Sequence, residues 1–495
     1  MNQKLKPIMF VGTASDVGKS VINAGFCRIF RQDGFHPAPF KAQNMSLNSY
    51  VTHEGLELGR AQAVQAEAAG IPCLSDMNPV LLKPTTEKSS QIVLNGKPIG
   101  NRSAYDYFAN DKAELFEAVT QAYDRLEKQY NPIVIEGAGS ISELNLKKRD
   151  ITNMRIARHA QADTYLISDI ERGGVFGAVY GTIALLPPEE RKLIKGIIIN
   201  KFRGDARLFT EGRKILEEIC QVPVVGVLPY FKDIYIEEED ALGLEKRSQK
   251  AQADKINVAV VLLRRLSNFT DFDVLERDPR VNLFYTQHPA EVNKADIIIL
   301  PGSKSTIQDL IDLKNVGMTQ AIQEQHQKGK TVIGICGGYQ MMGQYIEDPH
   351  QVESNITHIP ALGILPIKTV LGTEKTTQQR AFQFKHYPET CQGYEIHMGV
   401  TSRVDPASEL KFLTQLDNQT EDGCQLNDHT WGSYLHGILD NPVVVEDLLA
   451  RFTPDENTKP FDYQAFKESQ YDKLADFLRT HIDLDYIYQE LFKTT

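Results

Sequence analysis

The stretch PIMFVGTASDVGKS (residues 7–20) decides the fold of the N-terminal half of this 495-residue chain. It begins as an apolar, strand-like run and passes into a loop that ends Gly18-Lys19-Ser20, and a helical pattern follows from Lys19 to Gln32. A strand, a glycine-bearing loop and a helix in this order form the setting in which backbone N–H groups face phosphate oxygens. The stretch therefore predicts a phosphate-binding loop at the start of an α/β domain.

The loop carries residue types that hold a nucleoside triphosphate. Lys19 would reach the outer phosphates, and the Ser20 hydroxyl would coordinate Mg2+, a hard cation that prefers oxygen ligands. Five residues rather than four separate Gly12 from Gly18, so Thr13 occupies the first glycine position of the G-x-x-x-x-G-K-[ST] motif. The alternative is an ordinary glycine-bearing turn before a helix. The Gly-Lys-Ser ending after an apolar strand favours nucleotide binding.

A second carboxylate usually helps to hold the metal ion. Glu136 ends the apolar run IVIE and precedes the glycine-rich residues GAGS, where a parallel sheet delivers side chains to the phosphate crevice. Asp169, at the end of YLISD, competes for the same role. Either acid could instead be a simple turn residue, and the glycines after Glu136 favour Glu136.

Strand-like apolar runs alternate with helical patterns along most of the chain, at 132–137, 163–169, 195–201, 223–229, 256–263, 295–303 and 330–338. This alternation is typical of parallel sheets covered by helices. We therefore predict two α/β domains. The predicted divisions are an N-terminal domain at 1–235, a charged linker at 236–255, a second domain at 256–445 and a helical extension at 446–495.

Composition excludes several classes of protein. Acidic residues exceed basic ones by 11, so no overall positive field attracts nucleic acid or anionic lipid. No run of apolar residues is long enough to span a membrane, and the N-terminus lacks a signal-peptide core. The six cysteines form no C-x-x-C pair. We expect a cytoplasmic protein with neither nucleic-acid nor membrane partners.

A second candidate site centres on Cys336 in TVIGICGGYQMMG. This cysteine lies between a strand-like run and a helix among glycines, the setting of a nucleophile at a tight turn near a helix N-terminus. His436 in WGSYLHGILD is the candidate base, and the backbone N–H groups of Gly337 and Gly302 are candidate oxyanion donors. The alternative is an inert buried cysteine, and the surrounding glycines favour catalysis.

The order of these motifs resembles the cobyric acid synthase family, glutamine-dependent amidotransferases of cobalamin biosynthesis. The resemblance extends over nearly the whole chain. Its matching segments are VGTASDVGKS, FKAQNMSLNS (40–49), LGRAQAVQAEAAG (58–70), NPVLLKP (78–84), EGAGSISELNL (136–146), DIERGGVFG (169–177), NKFRGD (200–205), LPGSKST (300–306), GICGGYQMMG (334–343), GYEIHMG (393–399) and SYLHG (433–437).

The resemblance implies an N-terminal ATP-binding domain similar to dethiobiotin synthetase, whose looser phosphate loop accounts for the extra residue. It implies a C-terminal class I glutamine amidotransferase domain. The family amidates the b, d, e and g carboxylates of adenosylcobyrinic acid a,c-diamide to adenosylcobyric acid, using ATP and glutamine for each step. The implied partners are this corrinoid, glutamine, ATP and Mg2+, with no bound organic cofactor, and a homo-oligomer is compatible with it.

The resemblance also implies roles for individual residues. Glu395 and His397 of GYEIHMG are expected to be structural or interface residues. Asn200 would lie near the adenine. The implied ATP-binding residues are Gly12, Thr13, Ser15, Gly18, Lys19, Ser20 and Asn200, the metal-binding residues Ser20 and Glu136, the substrate-binding residues Lys41, Gln43 and Asn44, and the catalytic residues Cys336 and His436.

One departure from the wider amidotransferase pattern concerns the third member of the catalytic triad. Class I domains commonly place Glu two residues after the histidine, but this chain has Ile438 there and its next acid is Asp440. A Cys–His dyad is the interpretation that the sequence supports.

Two alternatives are weighed against this interpretation. The first is a related carboxylate amidotransferase, such as cobyrinic acid a,c-diamide synthase or a cell-wall enzyme, and FKAQNMSLNS with NPVLLKP and GYEIHMG argues against it. The second is a nucleotide-switched P-loop binding protein with a degenerate amidotransferase domain. The binding-protein hypothesis predicts loss of the nucleophile or base, whereas Cys336 and His436 are both present.

Overall fold

A computed structural model describes residues 4–86, 89–109, 112–238, 244, 250–405, 410–453 and 460–493. The chain divides into two compact units. The first comprises Met1–Ser46, Leu56–Glu237 and Ala465–Thr495, and the second comprises Leu47–Gly55 and Glu238–Gln464.

The strands are β1 Ile8–Gly12, β2 Ala38–Phe40, β3 Gln43–Met45, β4 Ser49–Val51, β5 Glu57–Gly59, β6 Val80–Thr86, β7 Ser89–Leu94, β8 Lys97–Ser103, β9 Ile133–Glu136, β10 Asp163–Asp169, β11 Ile194–Phe202, β12 Val224–Pro229, β13 Ile256–Val261, β14 Val281–Thr286, β15 Ile297–Leu300, β16 Thr331–Ile335, β17 Tyr345–Glu347, β18 His358–Pro360, β19 Ile367–Phe384, β20 Thr390–Arg403, β21 Thr414–Leu416, β22 Glu421–Asp422, β23 Cys424–Asn427, β24 Thr430–Ser433 and β25 Leu435–His436.

The α-helices are α1 Lys19–Gln32, α2 Arg60–Ala69, α3 Ala104–Ala109, α4 Ala113–Glu127, α5 Met154–Ala160, α6 Val175–Ala184, α7 Pro188–Arg191, α8 Thr210–Cys220, α9 Asp273–Arg277, α10 Pro289–Val292, α11 Thr306–Asn315, α12 Met318–Gln327, α13 Gly337–Met341, α14 Pro442–Leu449, α15 Tyr463–His481 and α16 Leu484–Phe492. Short 3-10 turns include Ser75–Met77, Lys147–Arg149, Ala206–Phe209, Phe269–Phe272 and Ile438–Asp440.

The first unit is built on a parallel sheet of six strands in the order β12-β11-β10-β1-β9-β2. Its central strands are buried along their length, as expected when helices cover both faces. Helix α1 packs its apolar face on this sheet, with the Phe26 ring centroid 4.7 Å from that of Phe10. The carboxyl ends of β1, β9, β10 and β11 share one edge, which therefore receives the phosphate loop, Glu136, Asp169 and Asn200.

The second unit repeats this principle with the strand order β14-β13-β15-β16-β24-β23, parallel except for β23. Cys336 directly follows the central strand β16, and the turn that contains Gly302 follows its neighbour β15. A second sheet, built around the long hairpin β19–β20, pairs β20 with β25 and so places Tyr394 opposite His436. The predicted fold class, two α/β domains with parallel sheets, is confirmed.

The bounds of the two units are not the same as those of the predicted divisions. Residues 47–55 group with the second unit, and residues 465–495 group with the first rather than forming an extension of their own. Half of the predicted linker 236–255, residues 239–243 and 245–249, lies outside the described residues. Among the helices of the described part, none combines the length and apolar character needed to cross a membrane.

Helix α15 joins the first unit through specific contacts with α1. Arg28 Nε donates to Asp472 Oδ1 at 2.7 Å, and a Cβ on Gly25 would meet Leu478 Cδ1 at 2.2 Å. Leu474 and Leu478 are fully buried. The C-terminal helix is therefore part of the hydrophobic core of the N-terminal unit, a long-range contact that helical periodicity alone does not reveal.

We expect Leu478→Ala to lower the free energy of unfolding by about 2–5 kcal/mol, because it removes a fully buried side chain and leaves a cavity. Urea denaturation followed by fluorescence would measure the change. Lys473→Ala, on the exposed face of the same helix, is the matched control and should change stability by less than about 0.5 kcal/mol. Equal effects of the two substitutions would contradict this packing.

Candidate functional site

The phosphate loop lies between β1 and α1 and is tied to neighbouring strands. Thr13 N donates to Ile167 O at 3.0 Å, and the Thr13 and Ser168 hydroxyls lie 3.0 Å apart. The buried Lys19 amine donates to Ala14 O at 2.9 Å. Ser15 is exposed at the outer side of the loop. The loop is thus anchored at both ends, and its tip is accessible to a ligand.

Asn200 explains why the loop needs glycine at position 18. Gly18 has φ +99, and a Cβ there would lie 2.3 Å from Asn200 Nδ2. That amide donates to Val17 O at 2.8 Å. Asn200 therefore supports the loop directly, and its expected position near the adenine stays a prediction.

A buried carboxylate lies beside the Ser20 hydroxyl. Glu136 Oε1 accepts from Ser20 Oγ at 2.8 Å and from Lys41 Nζ at 2.9 Å. Glu136 Oε2 accepts from Gln65 Nε2 at 2.6 Å. Burial alone would raise the pKa of Glu136, but the charge of Lys41 and the hydrogen bonds outweigh it and lower the pKa. An ionised carboxylate therefore lies next to Ser20.

The chemistry of this oxygen pair fits Mg2+. The ion takes hard oxygen ligands and is commonly held by one or two protein groups together with substrate phosphates and water. No cluster of three or more His, Cys, Asp or Glu ligands occurs among the described residues, so the protein would supply only part of the coordination shell. Asp169 has other partners: its carboxylate lies 3.0 Å from Lys201 Nζ and accepts from Glu171 N.

The three predicted substrate residues do not converge on one point. Lys41 joins Glu136, as described above. Gln43 Oε1 instead accepts from Tyr107 Oη at 2.5 Å, and Asn44 Nδ2 donates to Gln62 Oε1 at 3.2 Å. Gln65 lies in LGRAQAVQAEAAG but is not among the predicted site residues. A glutamine in the middle of an alanine-rich helix carries no local sign that it reaches a carboxylate from another strand.

Cys336 occupies a strained turn between β16 and α13. Its backbone has φ 50 and ψ −109, a conformation that is costly for a residue with a side chain. The side chain is mostly buried, and Sγ lies 3.7 Å from Ile396 O. A Cβ on Gly338 would lie 1.9 Å from Leu300 O, so only glycine allows the helix to start this close to β15. This geometry matches a nucleophile elbow.

His436 is paired with Asp271, a residue that the sequence analysis did not identify. The His436 Nδ1 to Asp271 Oδ2 distance is 2.6 Å, and Asp271 Oδ1 accepts from Gly437 N at 3.0 Å. Both side chains are almost completely buried. Asp271 lies in a 3-10 turn 165 residues before the histidine, so no spacing rule could have predicted it.

Electrostatics at His436 favour the imidazolium. Burial lowers the pKa of His436, but the charges of Asp271 and Cys336 and their hydrogen bonds outweigh burial and raise the pKa to about 10. These three side chains form the arrangement of a cysteine nucleophile, its acid–base partner and an orienting carboxylate.

The predicted oxyanion donors lie at this site. A Cβ on Gly337 would lie 2.8 Å from Ser303 N, and a Cβ on Gly302 would lie 3.2 Å from His436 Cε1. The turn after β15 and the first residue of α13 are therefore neighbours around the histidine. Their role as oxyanion donors stays a prediction.

Glu395 and His397 form a polar network on β20. Glu395 Oε2 accepts from Arg380 Nε at 2.6 Å, and Glu395 Oε1 lies 3.4 Å from His397 Nε2. The His397 ring stacks on Tyr434, with 3.7 Å between centroids. Every charge in this network has a partner within it, which is typical of a structural cluster.

Comparison with known proteins reveals a consistent set of relatives. Residues 8–244 match the family described as "CobQ/CobB/MinD/ParA nucleotide binding domain", and residues 257–444 match "CobB/CobQ-like glutamine amidotransferase domain". Proteins named cobyric acid synthase are similar along their full length. The protein from Parabacteroides distasonis is 61% identical over 99% of this chain and 100% of its own length. The protein from Bacteroides fragilis is 59% identical over 99% of each chain. The protein from Syntrophobacter fumaroxidans is 46% identical over 97% of this chain and 98% of its own length.

Asp271→Asn keeps the shape of the side chain and removes the charge that raises the pKa of His436. We therefore expect the pKa of His436 to fall below about 10. The pH titration of the His436 ring protons, followed by NMR, measures this shift. Asp440→Asn is the matched control and should leave the titration unchanged. An unchanged His436 titration in Asp271→Asn, or an equal shift in both variants, would contradict the assignment.

Proposed function

Because this chain belongs to the cobyric acid synthase family, we propose that it amidates the b, d, e and g carboxylates of adenosylcobyrinic acid a,c-diamide to give adenosylcobyric acid. Each amidation would consume one ATP and one glutamine. The N-terminal unit would activate the carboxylate, and the C-terminal unit would release ammonia from glutamine. The matches to a nucleotide-binding and a glutamine amidotransferase domain support this division of labour.

A free carboxylate is a poor electrophile, so it must be activated before ammonia can attack. In the proposed reaction a substrate carboxylate oxygen attacks the γ-phosphorus of ATP, ADP leaves, and an acyl phosphate forms. Lys19 and the loop N–H groups stabilise charge on the transferring group. Ser20 and Glu136 would hold Mg2+, which neutralises charge on the phosphates when bound. Lys41, beside Glu136, would orient the incoming carboxylate.

Ammonia is supplied by the cysteine centre. The Cys336 thiolate attacks the side-chain amide of glutamine, and the backbone N–H groups of Gly337 and Gly302 would stabilise the oxyanion. His436 gives its proton to the departing ammonia, leaving a thioester. His436 then takes a proton from water, which hydrolyses the thioester to glutamate and restores the thiolate. Ammonia displaces phosphate from the acyl phosphate to form the new amide.

The observation that carries this proposal is the buried Asp271–His436 pair at the strained Cys336. A nucleotide-switched binding protein with a degenerate second domain would have no use for a buried carboxylate and a left-handed cysteine backbone, both of which are costly to maintain. A related enzyme that amidates another carboxylate would keep the same centre. Only the identity of the amidated product separates that alternative from the proposed function.

We expect Cys336→Ala to reduce glutamine-driven amidation on the order of 1000-fold or more, because it removes the nucleophile. Amidation driven by added ammonia should stay within about twofold, since ammonia bypasses the cysteine. Product formation with each nitrogen donor measures both. Cys220→Ala, far along the chain in α8, is the control and should affect neither. Equal loss with both donors would contradict the division of labour.

Lys19→Ala should have the opposite pattern. We expect amidation with either nitrogen donor to fall by roughly 100-fold or more, because the transferring phosphoryl group loses its cationic partner. Glutamine hydrolysis by the cysteine centre, followed as glutamate release, should persist. Amidation at the normal rate in this variant would contradict the assignment of the phosphate loop.

A further inference from the structure

The turn that carries Asp271 is connected to the catalytic centre through successive residues. Ser267 N donates to Gly302 O at 3.0 Å, so the turn is attached to the predicted oxyanion residue. Asn268 follows with φ 53, and Asp271 N donates to Asn268 O at 3.1 Å. The position of the Asp271 carboxylate therefore depends on how Asn268 is held.

Asn268 is held by Ser49, from a segment more than 200 residues earlier in the chain, and by Tyr394 of β20. Its Oδ1 accepts from Ser49 N at 3.1 Å, and its Nδ2 donates to Tyr394 Oη at 3.1 Å. Tyr394 Oη in turn donates to Ser49 O at 3.1 Å. One residue earlier, Asn48 Oδ1 accepts from Phe269 N at 3.3 Å. These four hydrogen bonds connect side chains and backbone that are all almost fully buried.

Residues 49–51 also contact Tyr394, the aromatic residue that stacks on His436. Tyr394 stacks on His436, with 5.3 Å between ring centroids and 23° between planes. Tyr50 packs edge-on against Tyr394, with 5.1 Å between ring centroids, and Val51 belongs to the same apolar cluster. Asp271 and Tyr394 are both neighbours of the imidazole, and residues 48–51 contact Tyr394 itself and the turn that carries Asp271.

We propose that Asn48, a residue of the N-terminal half by sequence, is a positioning residue of the cysteine centre: it fixes the turn that presents Asp271 to His436. The proposal rests on the proposed glutamine hydrolysis and adds a residue to it. Asn48 touches neither Cys336 nor His436 in any contact described above. Its effect on catalysis is exerted through the backbone of Phe269 and the Asp271 carboxylate.

The single hydrogen bond from Phe269 N to Asn48 Oδ1 affects the position of Asp271. The Phe269 N–H is buried, and without Asn48 Oδ1 it loses its partner, which costs about 1–3 kcal/mol unless the turn moves to find another. Such a movement would displace Asp271. A displacement of about 1 Å at a catalytic group can cost on the order of 100-fold in rate.

We expect Asn48→Ala to lower kcat/KM for glutamine hydrolysis by roughly 10- to 100-fold and to move the alkaline limb of its pH profile to lower pH, since Asp271 supports the imidazolium less well. Ammonia-driven amidation should stay within about twofold. Glu54→Gln, an exposed change in the same segment, is the matched control. Unchanged glutamine hydrolysis and pH profile in Asn48→Ala would overturn the proposal.

A double-mutant cycle separates positioning from general destabilisation. If Asn48 acts through Asp271, then Asn48→Ala should cost at most about twofold more in an Asp271→Asn background, because the effects of residues acting as one unit do not add. Fully additive losses would overturn the proposal. Asn268→Gly, which tolerates the positive φ but removes both side-chain hydrogen bonds, should reproduce the loss and serves if Asn48→Ala does not fold.

The proposed function and the role of Asn48 are tested separately by these variants. Persistent glutamine hydrolysis in Cys336→Ala would overturn the proposed function itself. Loss of hydrolysis in Cys336→Ala together with normal hydrolysis in both Asn48→Ala and Asn268→Gly would overturn only the role of Asn48.

Discussion

The hydrogen bond between Asp271 and His436 is the interaction on which the proposed chemistry of this chain depends. A buried carboxylate is stable only when paired, and here its partner is an imidazole that its charge keeps protonated. The resulting pair lies beside a cysteine held in an unfavourable backbone conformation. In the proposed centre, an aspartate from a distant turn takes the place of the glutamate that class I domains commonly carry near the histidine. Residues 267–271 then position the histidine, and they contact Gly302, Tyr394 and Asn48.

Both candidate centres follow from one property of parallel sheets. Strand ends deliver loops to a common edge, so β1, β9 and β10 bring together the phosphate loop, Glu136 and Asp169, and β15 and β16 bring together Gly302 and Cys336. Each centre then adds polar groups from elsewhere in the sequence: Lys41 and Gln65 at Glu136, and Asp271 at His436. The sheets position the loops of each centre, and these distant groups shift the pKa values of Glu136 and His436.

The sequence predicts those parts of the structure that depend on residues close together in the chain. The alternation of apolar runs predicted two parallel-sheet domains, and the phosphate loop and the cysteine turn each carry their glycines within a few residues. Other features depend on contacts between residues that lie tens to hundreds of positions apart in the sequence. These features are the roles of Asp271 and Gln65 and the grouping of residues 47–55 and 465–495. Nothing in FTDFDVL distinguishes Asp271 from Asp273 before the chain is folded. The helical pattern likewise predicted an extension at 446–495 but not that α15 packs on α1.

The most direct measurement of the central claim uses glutamine labelled with 15N in the side-chain amide. The protein would be incubated with this glutamine, MgATP and adenosylcobyrinic acid a,c-diamide, and the corrinoid analysed by mass spectrometry. We predict four successive replacements of carboxyl OH by labelled NH2, ending at adenosylcobyric acid, with ATP required. An unchanged corrinoid, with or without release of labelled ammonia, would contradict it.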